Sequence, residues 1–342
     1  MVPEANRVSQ SKAKDSVTGP LFLVGMPRSG TKLLREMLGE HPRIRFSDIE
    51  TELLPYWVSH WPQLMPTKSP GQFRRFYAEC LSMPFFIQNS EKGTHIDCDE
   101  WLNACDSLTP AAVFEGLMRC CLGIPRTDRL TIWGDKSPSY IRHIPLLLAQ
   151  FPHAQIVHII RDVRDYGLSI RKAWGKNILR AAQRWQDDVS KARQDGSDHS
   201  SNYFEVRYED LLADTKPTLE AICVSLGIEF DAKMLSPNRV VENLGATKNI
   251  REVVRSNSGK YLTQMSPKLA SKIERIAGPT LREMNYPCEY QGAPVRLSGW
   301  RLRILQWLDG LNLLMAGVAR FGLVRSVKYN LAYFRVSGNR KY

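Results

Sequence analysis

Residues 21–34, LFLVGMPRSGTKLL, decide the fold of this chain. The stretch opens with a short apolar run, as expected of a parallel strand that is buried on both faces. A glycine-bearing loop follows, and residues 31–38 then carry leucine and methionine at helical spacing, with Gly39 as a stop signal. A strand, a loop and a helix in direct succession predict that the backbone N–H groups of the loop face an anion at the helix N-terminus.

The same alternation of strand and helix returns along the chain. We predict further strands at residues 43–46, 130–133, 154–160 and 203–206, the last three of them followed by helical segments. This order predicts a three-layer α/β/α fold with a central parallel sheet and a ligand site at the carboxyl ends of the strands. Residues 46–129 lack the alternation of strand and helix. We expect a helical insertion there that shapes a pocket for an acceptor substrate.

The composition is that of a globular protein. Of the 342 residues, 43% are hydrophobic and 24% are charged, which excludes a chain that is disordered throughout or built as a bundle of membrane-spanning helices. The net charge is +12, but residues 291–342 hold nine Lys or Arg and one acid, so +8 belongs to this segment and +4 to the rest. We therefore predict a domain at 20–290 and a basic amphipathic C-terminal extension at 291–342.

The N-terminus and the cysteines indicate a cytoplasmic protein. Residues 1–19 are polar, without the apolar core of a secretory signal or a membrane anchor, and we expect a flexible lead-in. The seven cysteines are odd in number and form no Cys-x-x-Cys pair, so reduced thiols are expected and neither a zinc site nor a redox site is predicted.

The loop departs from the pattern of a kinase phosphate loop. Gly25 and Gly30 have the spacing of a Walker loop, but Thr31 stands at the lysine place and Lys32 at the hydroxyl place. Without that hydroxyl, metal-assisted transfer of a γ-phosphate loses one of its parts. Arg28 offers a planar fork of donors inside the loop instead. A tight turn that binds no ligand is the alternative for this loop taken alone.

A second candidate anion site follows the strand at 154–160. Arg161 leaves the strand end, and Ser169 lies two helical turns further on, so both face one anion only if the chain bends between them. Arginines and a hydroxyl suit a phosphate, because Arg–phosphate hydrogen bonds are charge-assisted and often bidentate. A surface network of Arg and Asp is the alternative. Taken together, two anion sites at adjacent strand ends predict a nucleotide that is phosphorylated at two separate positions.

These motifs, in this order, resemble those of the sulfotransferases that use 3′-phosphoadenosine 5′-phosphosulfate (PAPS). Residues 27–34 look like the family's 5′-phosphosulfate loop, residues 161–169 look like its 3′-phosphate motif, and residues 206–211 are similar to a segment after a late strand. The resemblance covers about residues 20–286 and is closest to single-domain bacterial and tyrosylprotein sulfotransferases. It implies a P-loop-like fold, PAPS as donor with 3′,5′-bisphosphoadenosine (PAP) as product, and no metal.

The resemblance also implies which residues bind the nucleotide. The loop backbone and Arg28 would hold the 5′-phosphosulfate end, while Arg161 and Ser169 would hold the 3′-phosphate. Tyr208 either stacks near the adenine or only packs the strand end. A polar segment at 255–261 is similar to a lid over the nucleotide. The complete set of nucleotide-binding candidates is Arg28, Ser29, Gly30, Thr31, Lys32, Arg161, Ser169, Tyr208, Ser258 and Lys260.

Sulfuryl transfer to a hydroxyl or amine needs a base for the acceptor's proton and positive charge at the leaving oxygen. Glu50 is the predicted base by resemblance, with Asp48 and Glu52 as competitors and a solvated acidic face as the alternative. Lys136 is predicted to stabilise the leaving oxygen, and a solvated loop lysine is its alternative. His41, which precedes a proline, is predicted to be a structural polar residue.

The sequence therefore predicts a PAPS-dependent sulfotransferase that acts on a small-molecule, glycan, lipid or peptide acceptor. A P-loop nucleotide kinase and a non-catalytic binder of acidic glycans are the alternatives. Nucleic acid is not a predicted partner, because no accompanying motif supports it.

The C-terminal extension has apolar residues spaced like one broad helical face, with polar interruptions that argue against a membrane-spanning helix. Such a basic helix with tryptophans either lies in an anionic membrane surface, as a peripheral association, or packs on the body or a partner subunit with its arginines solvated. The apolar residues are Trp300, Ile304, Trp307, Leu308, Leu311, Leu314, Met315 and Val318.

Overall fold

The computed structural model describes residues 19–238 and 254–321, with side chains in the last helix as far as residue 312. Most of the predicted lead-in, at 1–18, and the basic residues of the segment 322–342 lie outside the described residues.

A sheet of five parallel strands forms the centre of the protein, in the order β2-β3-β1-β4-β5. Strand β1 is the middle strand, so the loop that follows it emerges between the carboxyl ends of β3 and β4. The strands are β1 Leu21–Gly25, β2 Ile44–Phe46, β3 Ile132–Asp135, β4 Gln155–Ile160 and β5 Tyr203–Arg207.

Fourteen α-helices within the described ranges surround or extend this sheet. Five of them, α2–α6, fill the predicted insertion at 46–129, which confirms that this segment is helical. Short 3₁₀ helices lie at Pro138–Arg142, Ala232–Leu235 and Arg255–Asn257. The α-helices are α1 Thr31–Gly39, α2 Leu54–Leu64, α3 Pro70–Cys80, α4 Pro84–Glu91, α5 Cys98–Ala104, α6 Pro110–Leu122, α7 Ile144–Gln150, α8 Val163–Trp174, α9 Ile178–Ser197, α10 Tyr208–Ala213, α11 Thr215–Ser225, α12 Tyr261–Gln264, α13 Pro267–Glu283 and α14 Gly299–Phe321.

Alternate side chains of β1 enter two separate cores. Phe22 and Val24 pack with the helical insertion and with α8, α9 and α13 on one face. Leu21 and Leu23 pack with α1 and α11 on the other face. Because a strand's side chains alternate between faces, an entirely apolar β1 requires a helical layer on each side. The predicted three-layer α/β/α fold is confirmed.

Strand β3 begins two residues later than the predicted strand at 130–133, and it also ends two residues later. The reason is the Asp128 side chain, whose carboxylate accepts hydrogen bonds from the backbone N–H groups of Leu130 and Thr131 at 2.8 and 3.0 Å. These bonds hold residues 128–131 in a turn, and Leu130 is exposed. Pairing with the sheet therefore starts at Ile132.

The helix predicted between Ser137 and Phe151 consists of two parts. A 3₁₀ helix covers Pro138–Arg142, His143 leaves the helical conformation, and α7 then begins at Ile144. Pro145 explains the division, because it has no N–H group to donate to the carbonyl of residue 141 and so cannot continue a helix through this point.

Candidate active site

The loop after β1 forms a tight turn that only a small residue can close. The N–H of Ser29 donates to the carbonyl of Met26 at 3.0 Å, and Arg28 and Gly30 have positive φ angles of 75° and 94°. A Cβ atom on Gly30 would lie 2.3 Å from the ring of Tyr208. The loop thus depends on a glycine at this point, with an aromatic ring packed directly against it.

We expect Gly30→Ala to lower the free energy of unfolding by about 1–3 kcal/mol, because it adds a strained φ angle to an overlap with Tyr208. Chemical denaturation measures this loss. Gly39→Ala is the matched control, since a Cβ at Gly39 meets no atom of the described residues within 4 Å. Equal stability of the two variants would contradict the close packing of Tyr208 on the loop.

The hydroxyl of Ser29 lies inside this loop without a partner. Its Oγ is buried and makes no hydrogen bond to any described residue. Buried hydroxyls almost always have a partner, so an isolated one is a reason to look for a ligand. An anion above the N-terminus of α1 would accept a hydrogen bond from it.

Arg161 lies directly against the loop. Its Nη1 donates to the carbonyl of Arg28 at 3.2 Å, and its Nη2 donates to the carbonyl of Asn257 at 2.6 Å. The guanidinium stands over the ring of Tyr208, 4.6 Å from the centroid. Its Nε is buried and has no hydrogen-bond partner within the described part of the chain. Arg161 therefore contacts the loop through Nη1, and its Nε is available to donate a hydrogen bond to a ligand.

Arg28 connects the loop to the helix that follows Arg161. Its Nε donates to the hydroxyl of Ser169 at 3.4 Å. The bend that the sequence requires between Arg161 and Ser169 lies at Asp162, which caps α8 with a non-helical backbone. Beyond it, α8 runs without a break through Ser169. The structure thus brings Arg28, Arg161 and Ser169 together.

Lys260 adds a further cation beside Arg161. Its Nζ donates to the side-chain oxygen of Asn257 at 2.5 Å. Burial lowers the pKa of Lys260, the positive charges of Arg161 and Lys172 lower it further, and Asp165 acts in the opposite direction. Cations that lower one another's pKa favour an anionic ligand between them, because such a ligand relieves their repulsion.

Tyr208 and Ser258 have local roles in the structure. Tyr208 is buried between Gly30 and Arg161, and its hydroxyl accepts a hydrogen bond from the amide of Asn257 at 2.7 Å. This geometry favours the packing role over stacking on a base. The hydroxyl of Ser258 donates to the carbonyl of Arg255 at 3.2 Å. Sequence reasoning does not single out Asn257, whose amide and carbonyl join Arg161, Tyr208 and Lys260.

The two predicted catalytic residues, Glu50 and Lys136, form an ion pair. Glu50 follows β2 and Lys136 follows β3, and these strands are neighbours in the sheet. The Lys136 side chain is 8% exposed and the Glu50 side chain is 43% exposed. Lys136 is therefore a buried cation rather than a solvated loop lysine, and the Glu50 carboxylate is accessible from solvent.

A buried network fixes the chain on either side of this pair. The hydroxyl of Thr51 donates to Asp135, the hydroxyl of Ser137 donates to Asp135 at 3.0 Å, and the backbone N–H of Thr51 donates to Ser137 at 3.1 Å. Burial raises the pKa of Asp135 to about 7, against the lowering effect of the hydrogen bonds from Thr51 and Ser137. The network was not expected from the sequence, although Asp135 directly precedes Lys136 at a strand end.

The other acids and His41 occupy the surrounding backbone. Arg35 donates to the carbonyl oxygen of Asp48 at 3.0 Å, which ties α1 to the segment after β2. Glu52 has a φ angle of 53°, and its N–H donates to Ser137 at 3.3 Å. His41 accepts from the N–H of Arg43 at Nδ1, so its Nε2 donates to a backbone carbonyl at 2.9 Å. The structural role predicted for His41 is confirmed.

Fold and strand-end geometry together define a P-loop-like α/β protein with a candidate anion site at the loop after β1. A sequence model described as the sulfotransferase family matches residues 20–232. The chain belongs to the sulfotransferase family. None of the curated protein sequences compared with it matches significantly.

The chain is also similar to solved structures. The sulfotransferase domain from the curacin biosynthetic pathway superposes with a TM-score of 0.53 and 20% identity, over 79% of this chain and 98% of that chain. The sulfotransferase domain from the Synechococcus PCC 7002 olefin synthase gives 0.47 and 22% identity, over 76% and 93% of the two chains. Mouse sulfotransferase SULT7A1 complexed with PAP gives 0.42 and 15% identity, over 87% and 90%. At 20% identity, the likeness to the curacin-pathway domain concerns the fold alone.

Proposed function

We propose that this protein transfers a sulfuryl group from PAPS to a hydroxyl or amine of a small-molecule, glycan, lipid or peptide acceptor. The observation that carries the proposal is the hydrogen bond from Arg161 to the carbonyl of Arg28. This bond joins the loop after β1, which suits the 5′ end of the nucleotide, to the motif after β4, which suits its 3′-phosphate. The two motifs therefore form one site. Membership of the sulfotransferase family supports the same class of reaction and disfavours the kinase and the glycan binder.

The residues fit a nucleotide with two separate phosphates. Ser29 Oγ and Arg161 Nε are buried donors that lack partners among the described residues, and Lys260 stands in a cluster of cations. In this proposal the 5′ end lies against residues 28–32, and the 3′-phosphate against Arg161 and Ser169, with Ser258 and Lys260 at its border. When bound, PAPS supplies an activated sulfuryl group whose leaving group is the phosphate of PAP.

Glu50 is the proposed base. Its carboxylate is accessible and is held in place by Lys136, while the hydrogen bonds of Thr51 anchor the backbone next to it. When Glu50 takes the acceptor's proton, it loses the negative charge that pairs with Lys136. The Lys136 ammonium is then free to stabilise negative charge that develops on the leaving oxygen. The pair thus couples proton removal to charge stabilisation.

We expect Arg161→Ala to weaken PAP binding by about 1.5–3 kcal/mol, the usual contribution of a hydrogen bond to a charged group. Isothermal titration calorimetry measures the loss, and the thermal midpoint reports whether the variant is folded. Arg171→Gln is the matched control, because Arg171 is exposed on α8, the helix that follows Arg161. Unchanged PAP affinity in the folded Arg161→Ala variant would show that the Arg161 side chain does not bind the nucleotide.

The overall proposal is tested by transfer itself. The purified protein is incubated with PAPS labelled in the sulfuryl group and with panels of phenols, sugars, peptides and lipids. We expect label to appear in at least one acceptor class, and the Glu50→Gln protein to lose that transfer. Binding of PAP without transfer to any panel would support a nucleotide-binding protein that is not a sulfotransferase.

A further inference from the structure

Helix α14 is fixed to the body by one face. Asp309 is buried and forms an ion pair with Arg180 at 2.6 Å, and it accepts a hydrogen bond from the N–H of Asn177 at 2.8 Å. One turn later, the amide of Asn312 donates to the carbonyl of Gly175 at 3.0 Å. These contacts hold α14 against the turn between α8 and α9. Packing on the body is one of the two roles that the sequence predicts for this helix.

The opposite face of α14 is open and apolar. Trp300 is 63% exposed and Trp307 is 69% exposed, and Ile304 and Leu311 are exposed between and beyond them. We call these four residues the tryptophan stripe. At 100° per residue they fall within an arc of about 60°, on the side of the helix away from Asp309. The helix therefore has a docked face and an apolar face that remains exposed among the described residues.

The surroundings of the stripe are basic. Arg301 and Arg303 are exposed and flank it on its two sides. Asp309 is the only acid in residues 291–342, and its charge is taken up by Arg180 inside the protein. The C-terminal extension therefore contributes no acidic side chain to the exposed surface around the stripe.

A groove adjoins the docked side of the helix. It has a volume of about 360 Å³ and lies between α14 and the turn from α8 to α9. Leu179, Leu269 and Leu305 line it together with the basic side chains Arg171 and Lys176.

We propose that the tryptophan stripe docks the protein on an anionic phospholipid membrane. A helix with tryptophans on one side and basic residues beside them binds at the level of the lipid headgroups. A second copy of the chain is disfavoured as the occupant, because it would bring the same excess of positive charge to the contact. No helix within residues 19–238 and 254–321 has both the length and the apolar character needed to cross a bilayer.

The test is cosedimentation of the full-length protein with vesicles of equal parts phosphatidylcholine and phosphatidylglycerol. We expect binding that weakens as salt is added, and that is weak with phosphatidylcholine alone. Trp300→Ser combined with Trp307→Ser should lower the partition coefficient by about tenfold or more, because apolar area is lost while every charge is kept. Leu130→Ser is the control, since it removes an exposed apolar side chain elsewhere on the surface.

Three outcomes would overturn the proposal. Unchanged binding of the double tryptophan variant would mean that charge alone attaches the protein. Equal binding to neutral vesicles would show that anionic lipid is not required for binding. Failure to bind vesicles, together with a dimer that the double variant dissociates, would assign the stripe to a second copy. PAP affinity is measured in parallel and should be unchanged in the double variant, so this proposal fails independently of the proposed function.

Discussion

Glu50→Gln is expected to lower kcat by about 10²–10⁴-fold while PAP binds with unchanged affinity. The substitution keeps the shape of the side chain but removes the proton acceptor, and it also leaves Lys136 without the charge of its partner. Steady-state kinetics with the acceptor found by screening measures kcat, and calorimetry measures the PAP affinity.

Asp48→Asn and Glu52→Gln serve as matched controls, because both acids lie within two residues of Glu50. We expect either change to cost much less than Glu50→Gln. If Asp48→Asn abolishes transfer and Glu50→Gln does not, the base is two positions earlier than assigned.

Lys136→Met is expected to lower kcat by about 10²–10³-fold, the usual loss when one group that stabilises developing negative charge is removed. The methionine retains much of the apolar volume, so a stable fold is expected for this largely buried position. Lys68→Met removes a positive charge from an exposed loop and is the control. A decrease of the same size in both variants would point to a general charge effect rather than to the site.

Combining the two substitutions tests whether Glu50 and Lys136 work as a pair. For residues that act as a unit, the double variant loses less activity than the product of the two single losses. We expect this non-additivity, because each side chain holds the other in position. Strict additivity would mean that the ion pair has no part in the reaction.

Much of the fold follows from local sequence patterns. An uninterrupted apolar run of strand length has to be buried on both faces, so residues 21–25 and 154–160 predict central parallel strands. Each motif directly follows a strand, and parallel strands all end at the same side of the sheet. The loops that carry the motifs therefore lie together at the carboxyl ends of the strands. Strand β3 is shifted from its predicted position because the Asp128 side chain stabilises a turn. The pattern of apolar residues contains no sign of that side-chain interaction.

The contacts that complete the site are long-range and could not be predicted. Asn257 reaches Arg161 and Tyr208, which are separated from it by 96 and 49 residues in sequence. Asp135 reaches Thr51 across 84 residues. Asp309 looks in sequence like an interruption of an apolar face, yet the structure buries it against Arg180. Polar side chains of this kind have no periodic signal, because their partners are set by the tertiary fold.

In the proposed function, one site binds both phosphorylated ends of an adenosine carrier. Calorimetric titration of the full-length protein with PAP, and separately with ATP and Mg²⁺, tests it most directly. We predict one-to-one binding of PAP that is about 10- to 150-fold tighter than that of ATP, the difference expected from a charged contact to the 3′-phosphate. Equal or tighter binding of ATP would show that the site does not select the 3′-phosphate, and it would favour a kinase.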